Sequence, residues 1–186
     1  MILLLVGIGL TVCMVYITRL LINSLAPERF RSIMRLLIPA YLLLNLYFTL
    51  LMRAPSDDYP IILMPLHSYF AVLGWDVQKF SALRQILRGA WSELAAFSFE
   101  PLIGVAQNLV LFIPFGFLLC GATKRPRMVR ILLMGFLLSL LIELCQLRFR
   151  LGWFETDDVL HNTLGTLLGI RLYRRMERRA PLSEDI

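Results

Sequence analysis

Charge is scarce in this chain and unevenly placed. Asp, Glu, Lys and Arg make up 17% of its 186 residues, and none of them falls within residues 1–18. An average soluble domain carries about 25% charged residues. With 58% apolar residues and a mean hydropathy of +0.71, an ordinary soluble domain is excluded and a membrane protein is predicted. Cysteine is nearly absent as well. Cys13, Cys120 and Cys145 are odd in number and lack metal or disulfide spacing, so they read as small hydrophobes. Carboxylate and amide oxygens suit Mg²⁺ or Ca²⁺ by ligand type, but their spacing matches no metal motif, and no Ser–His, Cys–His or phosphate-loop arrangement occurs. No metal or other cofactor is therefore expected. No basic n-region precedes the first apolar run, and Val12 stands where a lipoprotein signal ending at Cys13 needs a small residue. A cleaved leader is not expected. The net charge of +6 flanks apolar runs and forms no polar surface, which argues against nucleic acid as a partner.

The long apolar runs define the architecture. A spanning helix needs about 17–25 mostly apolar residues. Met1–Thr18, Leu36–Met52, Pro101–Cys120 and Ile131–Leu147 qualify, the last with Glu143 inside it. Val159–Ile170 is short and reaches span length only with Asp157 and Asp158 at one head-group boundary and Tyr173 at the other. The predicted fold is an all-α polytopic membrane helix bundle of about five transmembrane helices. Along the chain the divisions are an N-terminal helix over 1–24, a membrane domain over 36–173 and a basic tail over 174–186.

Basic residues set the direction. An N-terminus outside the cell puts 13 of the 19 on the cytoplasmic side, in the groups Arg19–Arg35, Lys124–Arg130 and Arg171–Arg179. Lys and Arg prefer that side. The C-terminus is then cytoplasmic, and the expected location is the cell membrane.

The outer segment from Arg53 to Glu100 has its own pattern. Tyr59–Phe70 is apolar but interrupted by Pro60 and Pro65, too short to cross and suited to dipping into the outer leaflet. Phe80, Leu83, Ile86, Leu87, Ala90, Trp91 and Leu94 recur at helical spacing. That suits an outer amphipathic helix, either lying on the membrane surface or packed as a lid over the bundle.

The exceptions within the apolar runs are the candidate site. At 1.5 Å rise per residue Asn108 lies about 10 Å inside its helix, and Glu143 and Asn162 about 6 Å inside theirs. Gln146 shares a helix face with Glu143, and Asp158 shares one with Asn162. Polar groups from three helices thus gather in the outer leaflet, where an ionisable residue marks a functional site by default. Asn108, Gln146 and Asn162 would serve equally as hydrogen-bonding glue. Glu143 and Asp158 need either an ion pair with Arg53 or Arg150, or a role in proton exchange or acid–base chemistry. His67 and Asp157 are further contributors. Gly165 and Gly169 form a small-xxx-small pair that suits close helix packing, and Pro114 with Gly116 predicts a kink in the third helix.

Three ordered blocks carry a resemblance: Asn108-Leu-Val-Leu-Phe-Ile-Pro-Phe-Gly116, Glu143-Leu-Cys-Gln146, and Gly152-Trp-Phe-Glu-Thr-Asp-Asp158 through Asn162-Thr-Leu-Gly165 to Gly169. This pattern, densest over 107–170, resembles the VanZ family of bacterial membrane proteins, named for an association with teicoplanin resistance. The family's polar positions fall on Asn108, Glu143, Gln146, Asp158 and Asn162. Glu155 stands where the family often has Asp, and His161 where it often has an aliphatic residue. The resemblance implies a cell-envelope role, with membrane lipid, a lipid-linked cell-wall precursor or the glycopeptide itself as partner. Two other classes fit the residues: an enzyme acting on a lipid-linked substrate through Glu143 or Asp158, and a small transporter or flippase. The absence of internal repeats weighs against the last.

Overall fold

The computed structural model describes residues 2–57, 60–69, 87–89 and 100–179. Five long helices make up most of this: α1 (Ile2–Ile22), α2 (Pro27–Leu46), α3 (Glu100–Ala122), α4 (Met128–Phe149) and α5 (Thr156–Glu177). A π-helical turn, Tyr47–Leu51, extends α2. Two short strands, β1 (Ile61–Ile62) and β2 (Phe154–Glu155), pair in parallel. The fold is an all-α membrane bundle, as the apolar runs predict.

Each helix runs past the span expected for it. The second begins at Pro27, nine residues before Leu36, because proline at N1 costs no hydrogen bond and the helix continues through Arg29–Arg35. The fourth begins at Met128 and ends at Phe149, where Arg150 turns left-handed at φ 56°. Apolar composition marks where lipid ends, and helices continue beyond it.

Four helices are long and apolar enough to cross a membrane: 4–22, 27–51, 101–122 and 128–149. α5 is not among them, and its burial pattern explains why. Leu160, Leu164 and Leu168, one turn apart, face outward at 42–49% exposure. Asn162, Gly165, Thr166, Gly169, Ile170 and Tyr173 face inward. Its polar and small residues are spent on the helices around it, so its mean composition understates its apolar outer stripe.

α3 and α5 are pressed together along a glycine seam. A Cβ at Gly165 would overlap the Leu109 carbonyl oxygen, one at Gly169 the Ile113 carbonyl oxygen, and one at Gly116 the Thr166 carbonyl oxygen. In this arrangement Cα–H groups approach backbone oxygens on the facing helix. The rest of the core is aromatic and aliphatic: Phe30, Met34, Phe112, Phe117, Leu118 and Tyr173 are all fully buried. Gly7 of α1 packs against Val110 and Leu111, seating the N-terminal helix on α3.

Pro114 lies inside α3, and lacking an N–H it cannot bond the Val110 carbonyl. Beside that break, the Tyr41 hydroxyl donates to the Leu111 carbonyl at 2.7 Å. Asn45 Nδ2 donates to the Tyr41 hydroxyl at 2.8 Å, and Thr49 Oγ1 donates to the Asn45 carbonyl at 2.8 Å. A buried polar chain therefore runs up α2 and binds it to the break in α3.

The basic groups Arg19–Arg35, Lys124–Arg130 and Arg171–Arg179 collect at one end. Arg35 Nε donates to the Ala122 carbonyl, and an Arg174 guanidinium N–H donates to the Pro126 carbonyl. The opposite end carries the β1–β2 pair, the α5 N-terminus and the candidate site. Of the amphipathic stretch Phe80–Leu94, only Leu87–Gly89 is described, as a turn; the remainder lies outside the described residues. Tyr59 and Phe70 do too, whereas Pro60–Tyr69 folds over the end of the bundle.

Candidate functional site

The site begins with the return of the chain after α4. The Arg150 carbonyl accepts from the Ser56 N–H at 2.8 Å, and Phe154 N–H donates to the Pro60 carbonyl at 3.1 Å. The Thr156 hydroxyl donates to the Ile62 carbonyl at 3.2 Å. These bonds lash the loop after α2 to the loop before α5.

Asp157 completes the lashing. It is buried, and its two carboxylate oxygens accept from Leu66 N–H at 2.6 Å and Ser68 N–H at 2.8 Å. Leu66 is held left-handed at φ 64°, a costly conformation for a non-glycine residue. Asp157 and Asp158 also occupy the first turn of α5, where negative charge is favoured by the helix dipole. Adjacent on a helix, the two point about 100° apart. Asp157 therefore faces the 66–68 backbone, whereas Asp158 faces a pocket.

That pocket, about 550 Å³, lies between the start of α3, the start of α5 and the two loops. Asn108 and Asp158 form its polar wall, with the Asn108 amide against the Asp158 carboxylate. Arg53, His67 and Glu155 also line it, with Trp153 at its apolar side. A Cβ at Gly152 would come within 2.7 Å of an Arg53 guanidinium nitrogen, so any larger residue there would push the tip of that side chain aside. Gly152 itself sits at φ 149°.

Of the residues picked out from sequence, Asn108, Asp158, Arg53 and His67 meet in the pocket. Glu143 lies just behind it. Only 2% exposed, it accepts the Glu155 N–H on Oε2 at 3.2 Å. Gln146 and Asn162 are placed between helices. Gln146 Nε2 donates to the Thr49 carbonyl at 3.1 Å, answering an acceptor orphaned at the helix end. Asn162 Nδ2 donates to the Ser139 hydroxyl at 2.8 Å, one turn deeper than Glu143. Arg150 turns outward, 3.8 Å from Asp57. His161 is buried, its Nε2 3.0 Å from the Tyr69 hydroxyl.

Sequence reasoning missed Trp153, Gln107 and Glu155 as pocket residues, and Ser139, Asn45 and Tyr41 as the polar partners behind it. The signal for the last three was a polar atom in the middle of each apolar run. Among the described residues, no group of three or more His, Cys, Asp or Glu is placed to hold a metal ion.

Glu155 is the pocket carboxyl outside the spanning helices. Burial raises its pKa above the ordinary 4.5, Asp157 adds to the shift, and His67 and Arg53 oppose it. A carboxyl raised on folding favours the folded state fully below its unfolded pKa, and loses that contribution as pH rises through the folded value. The stability of wild type relative to Glu155→Gln should therefore fall with rising pH from about 4.5 upward. Thermal unfolding of both proteins in detergent, scanned from acid to neutral pH, checks this; a constant difference between them contradicts it.

The fold and the pocket together define a polytopic membrane protein with a polar, mixed-charge pocket at one end of its helix bundle. Comparison with known proteins narrows that class. The family model described as VanZ/LLP1 matches residues 38–177, and the chain belongs to that family. The match begins inside α2, so α1 lies before it. A stretch of 67 residues, 36% of this chain, is 38% identical to Protein VanZ of Enterococcus faecium and spans 42% of that relative's length. No solved structure matches.

Proposed function

We propose that this protein acts at the bacterial cell envelope by holding the polar part of a lipid or cell-wall ligand in the outer pocket. Its topology would put the N-terminus outside, the C-terminus in the cytoplasm and the pocket in the outer leaflet of the cell membrane. The observation that carries the reading is the pocket itself. Arg53, Asp158 and Glu155 line one cavity large enough for a head group, together with Trp153. A guanidinium suits phosphate or carboxylate, while the carboxylates suit ammonium or hydroxyl groups. Helix-borne Asn108 and Asp158 supply a preformed wall. The likeness to VanZ supports reduced susceptibility to teicoplanin as the outcome of such binding.

The test is susceptibility to teicoplanin and vancomycin in a sensitive Gram-positive host. It expresses wild type, Asp158→Asn or Glu143→Gln at matched membrane levels. Wild type should lower teicoplanin susceptibility several-fold, and Asp158→Asn should abolish the effect by removing the charge from the pocket wall. Glu143→Gln should weaken it, because Glu143 positions the Glu155 backbone. Unchanged susceptibility with well-expressed wild type would remove the resistance reading.

A further inference from the structure

A second pocket lies at the opposite, basic end of the bundle, between the last turn of α1 and the last turns of α5. It measures about 390 Å³. Its charged wall is Arg19, Arg175 and Arg179. Val15, Ile22, Leu172 and Met176 make its apolar wall. It owes nothing to the outer pocket. Asp158 and Arg175 stand seventeen residues apart on one helix, about 26 Å at 1.5 Å per residue.

The charges here are not explained by packing. The basic neighbours Arg174 and Arg178 donate to the Pro126 and Arg174 carbonyls, which they cap. Arg19, Arg175 and Arg179 converge from two helices onto one cavity. No carboxylate is found among its described lining residues. The nearby acid, Glu177, is engaged by the Tyr173 hydroxyl and faces Cys120 on α3. Three like charges gathered over an apolar slot repel one another unless an anion joins them. The slot opens beside the lipid-facing side of α1, where Val12, Tyr16 and Leu20 are exposed at 54–64%.

We propose that this pocket binds an anionic phospholipid, its phosphodiester held by Arg19, Arg175 and Arg179 and an acyl chain lying along Val15, Ile22, Leu172 and Met176. Guanidinium groups match phosphate oxygens in geometry as well as charge. A basic recess between helix ends on the cytoplasmic side suits an anionic head group. The lipid would tie α1 to α5.

Native mass spectrometry of the full chain in detergent tests this, with dioleoyl phosphatidylglycerol, dioleoyl phosphatidylcholine and inorganic phosphate as probes. Phosphatidylglycerol should bind saturably and in preference to phosphatidylcholine, and inorganic phosphate should not displace it. Arg19→Gln/Arg175→Gln/Arg179→Gln should weaken that binding by on the order of tenfold or more. These three side chains are exposed, so the bundle should persist. Arg125→Gln/Arg127→Gln/Arg130→Gln, an equal loss of charge at the same end, should leave it intact. The proposal is overturned by equal binding of both lipids, by displacement with phosphate alone, or by equal weakening in the two triple variants. Should the pocket variant fail to accumulate, the single substitutions carry the test, and unaltered binding in all three overturns it too.

Discussion

Gly169→Ala should destabilise the purified protein by about 1–2 kcal/mol, although alanine is ordinarily the better helix former. In a helix interior the exchange normally gains about 0.5–1 kcal/mol. At Gly169 the new Cβ would overlap the Ile113 carbonyl oxygen and come within 2.8 Å of the Phe117 nitrogen. Both obstacles are backbone, so relief requires α3 and α5 to move apart. Overpacking of that kind costs about 1–3 kcal/mol, and each lost Cα–H···O contact adds about 0.5–1 kcal/mol. The cost outweighs the gain. Gly165→Ala, blocked by the Leu109 carbonyl, should behave alike, and the two together should reduce the amount of protein in the membrane. Gly9→Ala is the control, because nothing lies within 4 Å of its new Cβ. Unfolding of the three variants in one detergent decides the matter: if Gly9→Ala and Gly169→Ala shift stability equally, the seam is not what holds these helices.

Asp157→Asn should release the 60–69 segment while leaving the helices in place. The carboxylate is buried and accepts two backbone N–H groups, at Leu66 and Ser68. An amide keeps one acceptor oxygen and brings two donors of its own, so at least one of those bonds is lost. Hydrogen bonds to a charged group contribute about 1.5–3 kcal/mol each. Without them, the left-handed Leu66 at φ 64° loses what holds it. Amide exchange at Leu66 and Ser68 should accelerate by roughly tenfold to a hundredfold. Exchange in the middle of α3 and α4 should not change. His67 lies between those two amides and lines the pocket, so the pocket wall should loosen as well. Unaltered protection at both amides would mean that β1–β2 pairing holds the segment alone.

Much of this arrangement is legible in the chain because lipid simplifies the code. Apolar runs located all five helices, and charge at their flanks located the ends that share a face of the bundle. The small-xxx-small spacing of Gly165 and Gly169 announced a close approach. Gly116 was read with Pro114 as a kink, yet it belongs to the same seam. What stayed hidden depends on contacts between distant segments. Ile61–Ile62 and Phe154–Glu155 pair over two residues each, too few for any alternation to show. Asp157 and Asp158 are chemically identical neighbours, and only their angular positions on α5 separate a structural anchor from a pocket wall. Tyr41, Asn45 and Ser139 looked incidental in apolar runs, and their worth lies in backbone and side-chain partners on other helices.

The π-helical turn at Tyr47–Leu51 sets a phase. Its closing bond runs from Met52 N–H to the Tyr47 carbonyl, five residues back, one more than in an α-turn. One residue of a helix corresponds to about 100° of rotation, so whatever follows this turn emerges on a different bearing from that of an uninterrupted helix. Arg53 follows directly, and its guanidinium comes to rest over Gly152. The bearing of the pocket's cation is thus governed by the number of residues in that turn more than by their identity. Relatives that gain or lose one residue there would aim the same arginine elsewhere, a difference that a residue-by-residue comparison of side chains would overlook.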